Sequence, residues 1–387
     1  MKFVKITALV LCAALMTSLF AGCDKKDTPA DGTNSPDVTI SPDVTSSPEV
    51  TAGGIDFAAA YAHYAPETVM MTVSGYDVTW EELFFYLGAI IDEATATEST
   101  ITDWNATRED GMTNAEYILN AAEYEATMYK LVDYGAEKSN VTLSAANKEL
   151  LRQGYEDNVT AMGSEEDLLA YLRGFYCNSK ELYTYIMSAS YLINDILASM
   201  YGVSGELVTD AEVADYTEGF DYYMVKHILM LTTTEGTEQE IATKNAEIYA
   251  KMEDVLAKLD SFEGGDLEAY FDSLMHELSE DGGLAGYPNG YLFQNGDMMP
   301  EFYEECVGLE IGEYGGIVET SYGYHILLRI PLNYDVVPRQ LGEITPRQYV
   351  AQLMFAAVMD VWESELVVEY SDEFEALDMA KVFAPVK

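Results

Sequence analysis

Apolar residues recur at intervals of three and four along most of residues 55–217, which is the spacing of one buried helix face. Several of these segments begin with a Ser or Thr that an acidic residue follows three positions later, a pattern typical of helix N-termini. Before them, Val69–Val73 predicts a short strand that returns through Asp77–Val78 and leads into a helix after Thr79. The sequence therefore predicts a mostly helical N-terminal domain. Its main helices are expected at about 114–136, 144–157, 164–175 and 179–201.

The pattern changes near residue 218. Tyr222–Met230 and Gly323–Ile330 are strongly apolar runs, and each predicts a strand. Helical periodicity returns between them, so a strand, helices and further strands predict an α+β module over residues 218–334. Its helices are expected at about 238–260 and 266–278 and near 300–307.

A last helix is predicted downstream of this module. Thr345-Pro346 is a helix cap followed by a proline at the first helical position, and an apolar stretch continues to about Tyr370. This helix needs a packing partner. If residues 335–387 pack on residues 55–217, the module is an insertion in a helical domain, and the predicted fold class of the whole chain is α+β.

The charge balance excludes some classes of partner. The 387-residue chain carries 67 Asp and Glu against 20 Lys and Arg, a formal net charge of −47. Nucleic acids are bound mainly through Lys and Arg, so the sequence predicts no nucleic-acid partner. Because 49% of the residues are apolar, the chain nevertheless has enough material for folded cores.

The first residues have the pattern of an export signal. Lys2 and Lys5 precede an apolar run, Ile6–Phe20, that is shorter than the roughly 20 residues of a membrane-spanning helix. The following Ala21-Gly22-Cys23 resembles the lipobox of bacterial lipoproteins. That resemblance implies a signal peptide over residues 1–22, lipidation of Cys23 and an anchor on the extracytoplasmic face of the cell membrane. An ordinary secretory signal that is cleaved at another position is the alternative.

The next segment, residues 23–54, predicts a disordered tether. It contains Ser35-Pro36-Asp37-Val38-Thr39 and two further degenerate copies of that repeat. Such a Ser-, Pro-, Thr- and acid-rich composition cannot build a core, so an extended spacer is expected. Downstream, Cys177 and Cys306 are too far apart along the chain for a disulfide framework or a metal-binding motif, and each is expected to be a small buried apolar residue.

Two histidines occupy nearly identical positions at the two ends of the α+β module. His227 stands in Lys-His-Ile-Leu and His325 in Tyr-His-Ile-Leu, each inside an apolar strand. A single histidine in such a strand is usually a satisfied core residue. Two of them in matching contexts predict that the two imidazoles meet.

The segments between these histidines resemble the parvulin family of peptidyl-prolyl isomerases. That family shows a strand with His-Ile-Leu, a Ser-x-Asp segment, a Met-x-x-x-Phe segment and a final Gly-Tyr-His-Ile block with a preceding Thr. Order and spacing match across residues 222–330. The resemblance implies a small antiparallel sheet flanked by helices, no cofactor and no metal. The matching residues here are Ser279-Glu280-Asp281, Met298, Phe302, Thr320 and Gly323-Tyr324-His325-Ile326.

The resemblance also assigns roles to individual residues. His227 and His325 would form an imidazole pair, with Thr320 hydrogen-bonded to it and Asp281 beside the isomerising bond. A proline pocket would be formed by Met298, Met299, Phe302 and Phe293. The family segment Gly-Asp-Leu-Gly-x-Phe stands here as Pro288-Asn289-Gly290-Tyr291-Leu292-Phe293, so only its aromatic residue is kept.

The plan of the whole chain resembles that of PrsA-type foldase lipoproteins. It implies a chaperone-like domain from residues 55–217 and 335–387, with unfolded secreted polypeptides as partners. The expected function is peptidyl-prolyl cis/trans isomerisation together with chaperone activity. Two alternatives remain: a holdase chaperone with an inactive parvulin domain, and an adhesin or solute-binding lipoprotein that contains a parvulin-like module. The sequence gives no indication of the oligomeric state.

Overall fold

The computed structural model describes residues 54–97, 103–338 and 344–384. The predicted signal peptide 1–22, the lipidation site Cys23 and the tether up to residue 53 lie outside the described residues. Among the described helices, none has the length and apolarity that a membrane crossing needs.

The chain forms two compact units. The helical unit contains the described residues up to Met200 together with those from Phe355 onward, and the α+β unit is Tyr201–Met354. The unit boundaries therefore lie at 200/201 and 354/355 rather than at the expected 217/218 and 334/335. The reason is a small apolar cluster in the α+β unit, where Val208 and Val213 pack with Val350 and Ala351.

Most predicted helices of the helical unit are present with shifted ends. Thr113 and Glu116 form a capping box at the start of the helix Asn114–Ser139, and Ser144 and Ser164 cap the next two helices. The chain passes from one unit to the other at the end of the helix Lys180–Tyr201 and again within the helix Pro346–Glu365. The helices are α1 (Phe57–Tyr61), α2 (Trp80–Thr97), α3 (Asn114–Ser139), α4 (Ala145–Met162), α5 (Glu165–Arg173), α6 (Lys180–Tyr201), α11 (Pro346–Glu365), α12 (Asp372–Glu375) and α13 (Met379–Val382).

A three-stranded antiparallel sheet connects the two chain segments of the helical unit. Its strands are β1 (Val69–Val73), β2 (Tyr76–Thr79) and β7 (Val368–Tyr370), in the order β2-β1-β7. The prediction of a helix as far as Tyr370 was wrong, because the helix ends at Glu365 and the following residues pair with β1, Val73 opposite Val368.

The α+β unit is built around a four-stranded antiparallel sheet in the order β4-β3-β6-β5. The predicted fold class, α+β with an inserted module, is confirmed. The central strands are the two apolar runs recognised in the sequence. The strands are β3 (Tyr223–Leu231), β4 (Tyr291–Phe293), β5 (Val318–Glu319) and β6 (Gly323–Arg329), and the helices are α7 (Asp210–Tyr216), α8 (Glu238–Asp260), α9 (Leu267–Leu278) and α10 (Pro300–Gly308).

This sheet is covered on both faces, which explains why its central strands are apolar throughout. On one face, Ile228 and Ile326 pack against α8 and α9 through residues such as Met252 and Phe271. On the other face, Val225, Phe293 and Leu327 pack against α10 through Phe302 and Cys306. The second face also carries the histidines.

The two cysteines of the described residues are buried, as predicted. Cys177 belongs to the core of the helical unit and Cys306 to the α10 side of the sheet. Burial raises the pKa of each thiol to about 12, so both are neutral thiols at physiological pH.

Candidate active site

The strand register brings the two histidines onto one face of the sheet. His227 of β3 lies opposite Leu327 of β6, and Leu229 lies opposite His325. Residues two apart in a strand point to the same face, so the two histidines are diagonal neighbours. Their Nδ1 atoms are 3.1 Å apart, their ring planes differ by 20°, and both side chains are buried. The structure therefore brings the two imidazoles together.

Asp281 joins this pair from the loop that follows α9. Its Oδ2 atom lies 3.2 Å from Nε2 of His227, and its Oδ1 atom accepts the N–H of Gly283 at 3.0 Å. The loop is held along β3, because the N–H of Glu280 donates to the carbonyl of Leu229 at 2.8 Å. The position of Asp281 is thus fixed relative to the strand that carries His227.

Thr320 binds the other end of the pair. Its Oγ1 lies 2.8 Å from Nε2 of His325 and accepts the N–H of Tyr322 at 3.2 Å. An ionised Asp281 only accepts hydrogen bonds, so Nε2 of a neutral His227 carries the proton and its Nδ1 accepts. Nδ1 of His325 then donates to His227, and the hydroxyl of Thr320 donates to Nε2 of His325. Each hydrogen bond of this series fixes the direction of the next.

The burial and hydrogen bonding of these groups agree with this assignment. Burial, reinforced by the neighbouring His227, lowers the pKa of His325 to about 4, so this ring is neutral at pH 7. Hydrogen bonds from His227, Tyr291 and Gly283 hold the pKa of Asp281 well below its usual range. The site therefore combines a carboxylate with a neutral imidazole.

A cavity of about 270 Å³ lies directly over these groups. Its apolar lining includes Met298, Met299 and Phe302, and the ring of Phe302 stands edge-on to both imidazoles, with centroids 5.2 and 5.5 Å from them. Tyr322 lines the same cavity while 59% exposed, so the opening is bordered by an aromatic ring that contacts solvent. A small apolar ring such as that of proline matches this lining.

One predicted pocket residue does not line the cavity. Phe293 is fully buried, and its ring packs behind Phe302 with the centroids 6.0 Å apart. It lies on β4, inside the layer between the sheet and α10, so it supports the pocket wall from behind and has no cavity surface of its own.

Sequence reasoning missed Tyr291. This residue lines the cavity, and its hydroxyl donates to Oδ2 of Asp281 at 2.6 Å. It falls in the segment 288–293 that departs from the parvulin pattern, so the family resemblance offered no role for it. A tyrosine in place of a family glycine, ten residues after the aspartate, was the only available signal.

The residues that carry this arrangement match a known family. The family model described as Rotamase: PPIC-type PPIASE domain matches residues 227–330. These residues form a PPIC-type PPIase domain. The matched range begins at one imidazole of the pair and includes Asp281, Thr320 and His325. The prediction of a parvulin-type peptidyl-prolyl cis/trans isomerase domain is confirmed.

Sequence matches to several curated relatives are longer than the PPIase domain. The foldase protein PrsA of Caldanaerobacter subterraneus subsp. tengcongensis is 30% identical over 195 residues, which are 49% of this chain and 56% of that protein. PrsA of Geobacillus kaustophilus is 33% identical over 191 residues, 44% of this chain and 59% of that protein. PrsA of Halalkalibacterium halodurans is 33% identical over 141 residues, 36% of each chain. The chain is thus similar to PrsA foldases, as expected from the sequence, and it spans 36% to 59% of the length of these relatives.

Solved PrsA structures also align with the chain. The crystal structure of PrsA from Bacillus subtilis covers 69% of this chain and 92% of its own at 19% identity, with a TM-score of 0.25. A score of this size does not establish a shared arrangement of the two molecules.

Proposed function

We propose that this chain is a foldase that catalyses cis/trans isomerisation of X–Pro bonds in other polypeptides. The observation that supports this most directly is the buried imidazole pair of His227 and His325 beneath a cavity lined by thioether and aromatic groups. The cavity walls suit a pyrrolidine ring, and its border at Tyr322 is open to an incoming chain.

The reaction requires no nucleophile and no metal. Rotation about a peptide bond is slow because it destroys amide resonance, with a barrier of about 18–20 kcal/mol. A catalyst must therefore bind the twisted amide better than either planar form. The planar amide is the more charge-separated form, so weakly polar surroundings at the carbonyl favour the twisted one. Met298, Met299 and Phe302 supply such surroundings around the proline ring.

The hydrogen-bonded groups form the polar floor of the same site. Asp281, His227, His325 and Thr320 hold one another through successive hydrogen bonds, so their dipoles are already oriented before the substrate binds. Rotation about the X–Pro bond makes and breaks no bond to hydrogen, so no proton needs to be transferred. We assign these residues to bracing and polarising the site.

The location of this activity and its clients belong to the same proposal. Cys23 would carry a lipid anchor on the extracytoplasmic face of the membrane, and residues 24–54 would space the folded units from it. Unfolded secreted polypeptides are the expected clients. The lipobox-like segment supports this, as does the description of the curated relatives as foldase proteins.

An isomerase assay tests the proposal. The purified chain is assayed with a proline-containing chromogenic peptide whose trans form alone is cleaved by an added protease. We expect a clear acceleration that is lost in a His227→Ala/Asp281→Ala double variant. His276→Ala is the matched control, since this exposed histidine lies on α9 of the same unit, outside the cavity lining. If wild type isomerised the peptide no faster than the double variant, the proposed isomerase activity would be refuted.

A holdase without isomerase activity is the second candidate, and one observation favours it. Both carboxylate oxygens of Asp281 are already engaged by protein donors, as a purely structural group would be. The double variant separates the two candidates in an aggregation assay. If wild type and variant suppress aggregation of an unfolded client equally and neither isomerises the peptide, the chain is a holdase.

A further inference from the structure

Tyr291, like His227, reaches Asp281 from a strand of the sheet. It is the first residue of β4, pairs with Val225 of β3 and is 4% exposed. Its ring stands edge-on to His227 with the centroids 5.4 Å apart, and its hydroxyl donates to Oδ2 of Asp281 at 2.6 Å. The phenol is therefore part of the same layer as the imidazoles.

The backbone next to Asp281 is held to β3 at Glu280, but the aspartate itself lies in a loop, so the orientation of its carboxylate depends on side-chain contacts such as this one. The segment between α9 and β4 contains four glycines, among them Gly282 and Gly283 directly after the aspartate. Glycines restrict the backbone least. The loop enters β4 through Gly290, whose φ of +102° suits glycine and whose position against the carbonyl of Val225 leaves no space for a side chain. From Tyr291 onward the chain is fixed in the sheet.

Two donors meet at one oxygen of this carboxylate. Oδ2 of Asp281 lies 3.2 Å from Nε2 of His227 and 2.6 Å from the hydroxyl of Tyr291. A donor with a fixed strand backbone thus sets the orientation of the carboxylate that His227 meets. That orientation determines which nitrogen of His227 carries the proton, and with it the direction of hydrogen bonding to His325.

We propose that Tyr291 is a positioning residue of the isomerase site, holding the carboxylate of Asp281 so that it accepts Nε2–H of His227 and fixes the tautomers of both histidines. This inference rests on the proposed function for its kinetic consequences. Its structural claim concerns the tautomers of the two histidines, which do not depend on whether the site is catalytically active and are measured separately.

Tyr291→Phe removes the hydroxyl and keeps the ring. We expect kcat/KM to fall about tenfold, the change that corresponds to one hydrogen bond to a charged group. Since loss of a donor lets the carboxylate take up a proton more readily, the acid limb of the pH profile shifts to higher pH. Tyr287→Phe is the control, because its ring lies only 4.7 Å from that of Tyr291, whose hydroxyl is the one that donates to Asp281. This control should match wild type in both rate and pH profile.

A second variant tests the same contact without altering either partner. A Cβ atom at Gly283 would lie 2.1 Å from the hydroxyl of Tyr291, so Gly283→Ala must displace the phenol while keeping the N–H that binds Asp281. We expect Gly283→Ala to reproduce the rate and pH changes of Tyr291→Phe. Asp281→Asn completes the set: if Tyr291 acts through Asp281, the Tyr291→Phe/Asp281→Asn double variant is no slower than Asp281→Asn alone.

Nitrogen NMR of the two imidazoles gives the readout that is independent of turnover. We expect one dominant tautomer for His227 and His325 in wild type and a mixture in Tyr291→Phe. Unchanged ring-nitrogen shifts in Tyr291→Phe, or rate losses that multiply in the double variant, would overturn the inference. If wild type shows no isomerase activity, the proposed function fails, and the NMR comparison still decides the role of Tyr291.

Discussion

The hydroxyl of Thr320 lies 2.8 Å from Nε2 of His325, and both side chains are buried. This contact closes the hydrogen-bond series at the end remote from Asp281. Thr320→Val keeps the shape of the side chain and leaves the imidazole nitrogen without its donor. A buried polar atom left unsatisfied costs about 1–3 kcal/mol of folding free energy.

We therefore expect Thr320→Val to destabilise the α+β unit by that amount and to lower kcat/KM in the peptide assay. Thr320→Ser retains the hydroxyl and should remain close to wild type in both measurements. Hydrogen exchange of the β6 amides reports the stability of this unit. Equal exchange rates in Thr320→Val and wild type would show that the hydroxyl contributes nothing to the pair.

The α+β unit should lose stability as the pH is lowered from about 6.5 to about 4. Burial and the neighbouring His227 lower the pKa of His325 to about 4, whereas an unfolded histidine titrates near 6.5. Between these values the unfolded chain binds a proton that the folded chain does not. The stabilisation is therefore complete above pH 6.5 and is lost as the pH falls through about 4.

The measurement needs a probe inside the α+β unit. All three tryptophans, Trp80, Trp104 and Trp362, belong to the helical unit, so intrinsic fluorescence does not report on this sheet. Hydrogen exchange of the β3 amides between pH 7 and pH 4.5 does. We expect the free energy of opening to decrease more steeply in wild type than in His325→Gln. Asp281 also makes stability decrease on acidification, but only below pH 3.8, the ordinary pKa of its carboxyl group. If the free energy of opening fell equally steeply with decreasing pH in wild type and His325→Gln, the lowered pKa of His325 would be contradicted.

The helical unit contains a buried ion pair with a separate prediction. Nζ of Lys130 lies 2.8 Å from Oε2 of Glu82 and 3.0 Å from the hydroxyl of Tyr185, and both charged side chains are buried. Lys130→Met leaves the carboxylate of Glu82 buried without its cation. Removing one partner of such a pair costs about 3–5 kcal/mol.

Trp80 is fully buried in this unit, so tryptophan fluorescence follows its unfolding in urea. We expect Lys130→Met to unfold at a clearly lower urea concentration than wild type. Lys130→Met/Glu82→Gln should regain most of the lost stability. Burial already raises the pKa of Glu82 to about 7, so the penalty in Lys130→Met should shrink at pH 5, where the acid is neutral. Lys381→Met, at an exposed ion pair with Asp378, is the control and should stay near wild type.

The sequence predicted those parts of the site that are local in the chain. The apolar runs around His227 and His325 specified two adjacent strands, and their matching contexts predicted that the rings meet. Asp281, Thr320 and Met298 followed from the spacing of a known motif. The structure brings all five residues around one cavity.

What the sequence did not predict depends on contacts between distant segments. Glu82 has the spacing of a capping-box residue after Thr79, yet its carboxylate turns into the core to meet Lys130, 48 residues away. Val368–Tyr370 continues an apolar stretch, yet it pairs as a strand with β1. In each case tertiary partners decide between two conformations that the local pattern allows equally.

The charges around the cavity predict which residue before proline is preferred in a substrate. The described residues that line the cavity include Asp281 and Asp297 and no Lys or Arg. Across residues 227–330, 21 Asp and Glu stand against four Lys and Arg. Three of those cations lie on α8, which packs on the opposite face of the sheet, and Arg329 donates to the carbonyl of Leu309.

A cationic residue before proline should therefore be preferred over an anionic one. One unit charge about 7 Å from a carboxylate gains about 0.6 kcal/mol at the dielectric constant of bulk water and about 2.4 kcal/mol at the value of about 20 typical near a protein surface, so kcat/KM should differ by about threefold or more. We expect Lys-Pro peptides to react faster than Glu-Pro peptides at low salt, and the ratio to shrink in 1 M salt, where the screening length is about 3 Å. Asp297→Asn should reduce the ratio, whereas Asp254→Asn, at an exposed position on α8, should leave it unchanged. Equal rates for the two peptides at low salt would show that the carboxylates at the cavity are too well screened to select substrates.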